Sequence, residues 1–313
     1  MEPTPIQTLN RVSDLMGRHV TVKRDDLLPE AGGGNKVRKL DRIYRDYEYR
    51  GVNAVVTTGG TDSNHCRVAA ILCAQRGWPC TLVMHASEVS YASNLEIAKF
   101  VGAKVKCVKP DSISTVMEES LRELHEQGLE PAYLSGGGHE PLGISAYSDA
   151  VVELARQMTS PPDLVVVPCG TGGTLAGISM GLARVGWHTN ALGISVARSQ
   201  ERASHVVAEA IAESNQGVPV GSSTNWMVSD AYVDGGYARF GPATLDWVRR
   251  VGIMEGLLLD PVYTGKAFRG MMESKGHQWV EGAESVLFWH TGGFPNLLTH
   301  LYNDPENSVC VYS

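Results

Sequence analysis

Three glycine-rich segments of the chain carry residue types that can do chemistry, and each lies where an extended run gives way to a helix. The first is Pro168-Cys169-Gly170-Thr171-Gly172-Gly173-Thr174, which follows the apolar run Leu164–Val167. Glycines let a backbone approach an anion, and a helix start offers free N–H groups at the positive end of its dipole. With two threonine hydroxyls as further donors, the segment reads as a cup for a phosphate. It lacks the lysine of G-x-x-x-x-G-K-[ST] and misses the spacing of G-x-G-x-x-G, so neither nucleotide motif applies. The plain alternative is a tight strand-to-helix turn with no ligand.

The second segment is Gly32-Gly33-Gly34-Asn35-Lys36-Val37-Arg38-Lys39-Leu40. A lysine forms an imine with an aldehyde when it is partly desolvated and kept neutral by neighbouring cations, which Arg38 and Lys39 could supply. A solvated basic helix start is the competing reading. The third is Thr57-Thr58-Gly59-Gly60-Thr61-Asp62-Ser63-Asn64-His65-Cys66-Arg67. Here a hydroxyl, an amide and an imidazole gather at a second helix start, an arrangement suited to a carboxylate. Ser63 and His65 stand too close along a helix start to act as nucleophile and base, and no G-x-S-x-G elbow occurs. Asp62 reads as a helix cap.

The elements that must position these segments alternate. Apolar runs predict strands at Ala54–Thr58, Cys80–Met84, Lys104–Val108, Ala132–Leu134, Leu164–Pro168, Ala191–Val196 and Ser285–Trp289. Amphipathic stretches predict helices at Ser63–Arg76, Tyr91–Phe100, Ser112–Glu126, Ser145–Met158, Thr174–Val185, Gln200–Ser214 and Pro242–Val251. Such alternation is the signature of an α/β protein with parallel strands. Further glycine turns at Gly136–Gly138 and Gly292–Gly293 bring the number of such junctions to five. Ligands gather at the carboxyl ends of strands in open sheets, so these turns point to one shared cleft.

The bulk numbers exclude several classes. The chain has 313 residues, 43% of them hydrophobic, which is enough for two domains. A net charge of −7 with no run of Lys or Arg argues against nucleic acid as a partner. No secretory leader or membrane span is legible. The six cysteines, at positions 66, 73, 80, 107, 169 and 310, show neither C-x-x-C nor zinc-ligand spacing. Reduced thiols in a cytoplasmic protein without a metal are the expectation.

Taken together, the segments resemble the fold-type II enzymes of pyridoxal 5′-phosphate (PLP), and within them the D-cysteine desulfhydrase and aminocyclopropane carboxylate (ACC) deaminase group. G-G-N-K-x-R-K-L at 33–40, G-G-x-x-S-N-H at 59–65 and G-T-G-G-T at 170–174 occur in the family order. Asp260-Pro261-Val262-Tyr263-Thr264-Gly265-Lys266 and His290-Thr291-Gly292-Gly293 match two more of its segments. The resemblance implies that Lys36 holds PLP and then serves as a base. It places Gly170, Thr171, Gly172, Gly173 and Thr174 on the cofactor phosphate, and Asn64 on its ring hydroxyl. It gives Ser63, Asn64 and His65 to the substrate, with Ser63 able to relay a proton. Tyr263 and Tyr237 resemble its two active-site tyrosines, although Tyr237 lacks the glycine that usually follows. The implied architecture is tryptophan synthase β-like: two open parallel-sheet α/β domains with the cofactor in the cleft between them. Residues 1–44 plus 144–313 would form the large PLP-binding domain and 45–143 the small substrate-gripping one. A homodimer is implied as well.

Thr264 and Thr291 bear on the substrate. In the family's deaminases these positions carry a glutamate and a leucine, and the glutamate favours a protonated pyridine nitrogen. Two threonines follow the desulfhydrase pattern, and a neutral hydroxyl makes the ring a weaker electron sink. That suffices to expel a good leaving group from Cβ but asks more of a cyclopropane. The expectation is therefore PLP-dependent β-elimination, with D-cysteine giving pyruvate, sulfide and ammonia. The alternatives are an ACC deaminase, an elimination or replacement enzyme for another β-substituted amino acid, and, distantly, a silent binder of a phosphate ligand. A nicotinamide oxidoreductase lacks the acidic residue it would need in 188–196.

Overall fold

The computed structural model describes residues 1–85, 91–214, 226–274 and 278–304. Its strands are β1 (Ile6–Thr8), β2 (His19–Arg24), β3 (Ala54–Gly60), β4 (Cys80–His85), β5 (Lys104–Val108), β6 (Pro131–Leu134), β7 (Leu164–Cys169), β8 (Asn190–Ser195), β9 (Trp226–Ser229) and β10 (Ser285–His290). They form two sheets, ordered β1-β2-β10-β7-β8-β9 and β5-β4-β3-β6. Among the described residues the pairings are parallel, as expected, save that of the short edge strand β1, which runs antiparallel to β2. Two open α/β sheets of mostly parallel strands match the expected architecture.

The chain divides into two compact units: Met1–Ile43 with Gly137–Gly293, and Tyr44–Gly136 with the chain from Phe294 onward. Sequence reading had kept 294–313 with the large domain. Instead the Phe294–Asn303 helix belongs to the smaller unit, where Asn94 donates to Asn296 Oδ1 at 2.8 Å and Ser93 N–H to Thr299 Oγ1 at 2.9 Å.

In the larger unit the helices Pro141–Gln157, Gly173–Arg184 and Gln200–Ser214 bury Tyr147, Leu154, Leu175, Ile178, Leu182 and Val207 against β7 and β8. Strand β7, Leu-Val-Val-Val-Pro-Cys, is buried along its whole length, as a strand covered on both faces must be. In the smaller unit, Val56 and Val83 of the sheet pack on Met117 and Leu124 of the Ile113–Glu126 helix.

Each sheet has a point where chain order reverses. The sequence β7-β8-β9 runs one way while β10 lies on the other side of β7; β3-β4-β5 runs one way while β6 lies across β3. Loops after β7, β10 and β3 therefore flank the two crevices where such sheets bind ligands. Those are the segments 170–174, 290–293 and 59–65. No helix among the described residues is long and apolar enough to cross a membrane. Cys66, Cys73, Cys80, Cys107 and Cys169 are free thiols, and Cys310 lies outside the described residues.

Candidate active site

In the larger unit Lys36 stands in the first turn of the Asn35–Tyr49 helix, whose apolar stripe of Val37, Leu40 and Ile43 is fully buried. Its start is locked to the segment after β10. Asn35 N–H donates to Thr291 O at 3.0 Å, and a Cβ on Gly34 would stand 2.7 Å from that same carbonyl. Lys36 is partly buried and donates to Asn35 Oδ1 at 3.2 Å. Burial lowers its amine to about 8, against the opposing pull of the Asp260 carboxylate. An amine poised near neutrality is what imine chemistry needs.

The cup of 170–174 turns into the Gly173–Arg184 helix through Gly172, whose φ of +90° is left-handed and needs glycine. Asn35 Nδ2 donates to Thr174 Oγ1 at 3.0 Å, tying the lysine helix to the cup. Behind Gly173, a Cβ would meet Lys39 Nζ at 2.9 Å and His139 Nδ1 at 3.2 Å. Arg198 donates to Gly170 O. Burial and then the Lys36 charge push the Lys39 amine far below its usual range. Burial, Lys39 and Arg198 lower His139 to about 4, and its buried Nδ1 has no hydrogen-bond partner among the described residues. Mutually repelling cations, an orphaned ring nitrogen and a helix start fit a phosphate. Of the two residues expected to bias Lys36, Lys39 is the one whose amine gives way to the Lys36 charge, while burial is what lowers Lys36 itself. Arg38 plays no such part: it is drawn into a buried network in which it donates to both oxygens of Asp25, at 2.8 and 2.9 Å, and to both of Glu153.

The Asp260-Pro261-Val262-Tyr263-Thr264 turn opens the helix Thr264–Glu273. The Asp260 carboxylate is fully buried and accepts from Val262 N, Tyr263 N and Thr264 N at 2.9–3.0 Å. Thr264 and Thr291 are both buried. Tyr263 and Tyr237 share a hydroxyl–hydroxyl hydrogen bond of 2.7 Å, so Tyr237, the less secure of the two by sequence, stands beside its partner. The loop behind Tyr237 is held by Lys266, which donates to Val196 O, Val233 O and Gly236 O at 3.0, 2.6 and 2.9 Å.

In the smaller unit Ser63, not Asp62, caps the Asn64–Gln75 helix by accepting from Cys66 N–H at 3.3 Å. Asp62 is buried, and that burial raises its carboxyl above the usual range. Thr57 gives its proton to Leu134 O at 2.7 Å, so it accepts from His65 Nε2 at 2.8 Å. That holds the His65 ring against β3 and assigns its tautomer. Burial pushes Cys66 up to about 12, which makes it a thiol and no nucleophile.

Comparison with known proteins decides what this arrangement is. The family model described as pyridoxal-phosphate dependent enzyme matches residues 1–292. The chain belongs to that family. A Pyrococcus abyssi protein bearing the provisional name 1-aminocyclopropane-1-carboxylate deaminase is 36% identical over 302 residues, covering 94% of this chain and 90% of its own. A Thermotoga maritima protein of the same provisional name is 33% identical over 94% of both chains. The crystal structure of an ACC deaminase homologue superposes with a TM-score of 0.86 at 34% identity, covering 95% of this chain and 91% of that one. The protein is thus a PLP-dependent enzyme of the lyase or deaminase type acting on a small substrate.

For a PLP enzyme, the amine that meets the aldehyde must be reachable. Lys39 is 1% exposed behind Gly173, and Lys266 spends its protons on three carbonyls. Lys36 remains. Loading of PLP onto the cofactor-free protein should accelerate with a midpoint near pH 8, because only the neutral amine attacks. Stopped-flow absorbance across pH checks this, and a midpoint near that of an ordinary lysine would contradict it. Sequence reading missed His139, Arg198, Asp260 and Lys266 as site residues. His139 follows a glycine turn and was open to notice, whereas the carbonyls held by Lys266 come from two separate stretches of the chain.

Proposed function

We propose that this enzyme deaminates D-cysteine by β-elimination, consuming one water and giving pyruvate, sulfide and ammonia, with Lys36 as the lysine of the cofactor. The observation that supports the lysine is its partly buried amine, lowered to about 8, beside the cationic cup. Bound PLP supplies an electron sink for the pair left when Cα loses its proton. Lys36 Nζ, lowered by burial to about 8 so that part of it is neutral near physiological pH, takes that proton. Backbone N–H groups at Asn64 and His65, at a helix start, hold the substrate carboxylate, and the Ser63 hydroxyl relays a proton, its own N–H being taken by Gly60 O. Asn64 holds the cofactor ring hydroxyl. The Tyr263–Tyr237 pair, joined at 2.7 Å, can pass a proton to the departing sulfur.

The choice of D-cysteine rests on Thr264 and Thr291, two hydroxyls where ring opening calls for a stronger partner. The names of the relatives favour the second reading, ACC converted to 2-oxobutyrate and ammonia. Assaying both substrates, both enantiomers of cysteine and both oxoacids separates them. Pyruvate from D-cysteine with no 2-oxobutyrate supports the first reading, and 2-oxobutyrate from ACC installs the second. Tyr263→Phe should lower kcat by about 10²–10⁴-fold with little change in KM, the cost of losing a proton donor. A variant as fast as wild type would remove Tyr263 from catalysis. We further infer a homodimer in the cytoplasm, in keeping with the free thiols; light scattering tests the oligomeric state.

A further inference from the structure

The helix Thr264–Glu273 has two ties to the turn that carries Tyr237. On the inside, Lys266 is fully buried and places its three ammonium protons on Val196 O, Val233 O and Gly236 O at 3.0, 2.6 and 2.9 Å. Val196 directly follows strand β8, while Val233 and Gly236 belong to the turn just before Tyr237. Burial lowers this amine to about 8, against the pull of the Asp234 and Asp260 charges, so it stays protonated at neutral pH. On the outside, Arg269 donates to Asp234 Oδ1 at 2.8 Å, both side chains being partly exposed. Ion pairs open to solvent contribute little, whereas buried carbonyls that lose a charged donor cost more. The turn needs such a hold. Asp234, Gly235, Gly236 and Ala238 have φ of +52°, +85°, +128° and +57°, and an aspartate or an alanine keeps that conformation only where its surroundings impose it.

We propose that Lys266 is a positioning residue that holds the Tyr237 hydroxyl on that of Tyr263 by gathering the carbonyls of the turn before Tyr237. Its part in catalysis rests on the reading that this tyrosine pair passes a proton. Tyr263 caps the helix that carries Lys266 three residues further on. One member of the pair is therefore fixed to this helix by the chain itself. The other is fixed to the same helix by Lys266 through Gly236, the residue next to Tyr237. Without the ammonium, three carbonyl dipoles point their negative ends at one place with no charge between them, and they push the turn away. A displacement of about 1 Å is enough to break a hydroxyl contact of 2.7 Å.

The test is carbon NMR, at neutral pH, of the holoenzyme labelled at tyrosine Cζ, with Tyr237→Phe assigning the Tyr237 signal. It is paired with kcat and KM for whichever of D-cysteine and ACC is turned over. In wild type, Tyr263→Phe should shift the Tyr237 signal, because the two hydroxyls share a hydrogen bond. In Lys266→Met, with folding verified by circular dichroism, that signal should already have moved and Tyr263→Phe should add nothing. The kcat of Lys266→Met should fall about 10²-fold with little change in KM. In Lys266→Ala, ammonium chloride should restore the wild-type signal and sodium chloride should not. Arg269→Met should leave the signal in place, which supports Lys266 even where Lys266→Met fails to fold. A signal that Arg269→Met moves means that the outer tie sets the turn, and a signal unmoved in Lys266→Met means that neither lysine nor cage does; each overturns the proposal. If Lys266→Met moves the signal but neither it nor Tyr263→Phe slows turnover, Lys266 still positions Tyr237, and the reading of the pair as a proton relay falls instead.

Discussion

Lys36→Ala should lose about 10⁴-fold or more in turnover while melting within a degree or two of wild type. On the proposed function the loss combines two roles in one side chain, the covalent hold on PLP and the base at Cα, which neither Lys39 nor Lys266 can take over. Lys39 is sealed behind Gly173 and Lys266 is held by three carbonyls. Stability should barely change, because among the described residues the Lys36 amine has only Asn35 Oδ1 as a side-chain acceptor, at 3.2 Å, and it sits near the buried Lys39 amine. Removing it relieves that repulsion, so the Lys39 amine should titrate higher in the variant. Pyruvate release, thermal melts and lysine titration by NMR check the three parts. Substantial turnover, with a normal melt, would mean that another residue does the chemistry.

The second large effect is on folding. Asp25 is fully buried and accepts from Arg38 Nε and Nη2, Thr4 Oγ1, Tyr147 Oη and Trp289 Nε1, all within 2.7–2.9 Å. It thereby joins the end of β2, the lysine helix, the Pro141–Gln157 helix and β10 just ahead of His290. Its backbone carbonyl also accepts from Gly34 N–H at 2.8 Å, at the threshold of Lys36. Asp25→Ala leaves the Arg38 charge with Glu153 alone and strands the other donors, which should cost about 3–5 kcal/mol in urea unfolding. Burial opposes the charge, but Arg38 with its hydrogen bonds holds this carboxyl below the usual range. A carboxyl depressed in the fold stabilises above its unfolded value and stops doing so as pH falls through its folded one. The gap between wild type and variant should therefore be full at neutral pH and narrow below about pH 4. A constant gap across that range would show that packing, not charge, is what the variant loses.

Much of this was legible from residues alone, for a physical reason. Strand β7 is apolar throughout and β3, β4 and β8 hold short apolar runs bounded by turn residues, and such a run has few ways to be satisfied other than as a covered strand. Strand β2 reads His-Val-Thr-Val-Lys-Arg, and its buried Lys23 disguises it: the charge is tolerated because Nζ donates to Thr4 O and to Glu153 and Gln157 side chains. The Thr264–Glu273 helix was hidden by Gly265 and Gly270, poor helix formers. Both are there for close packing, since a Cβ would come within 2.5 Å of Val248 and 2.6 Å of Ile194. The same holds for the site. Lys36, Tyr263 and the 170–174 cup are picked out by type and spacing, while Asp260, which gathers the N–H groups of Val262, Tyr263 and Thr264, is recognised only in the folded turn.

The central claim, that PLP is held by Lys36, is tested most directly by fixing the bound cofactor with borohydride and mapping the labelled peptide by mass spectrometry. The expected result is one pyridoxyl-phosphate adduct, on Lys36. An adduct on Lys39 or Lys266, or a protein that takes up no PLP, would contradict it.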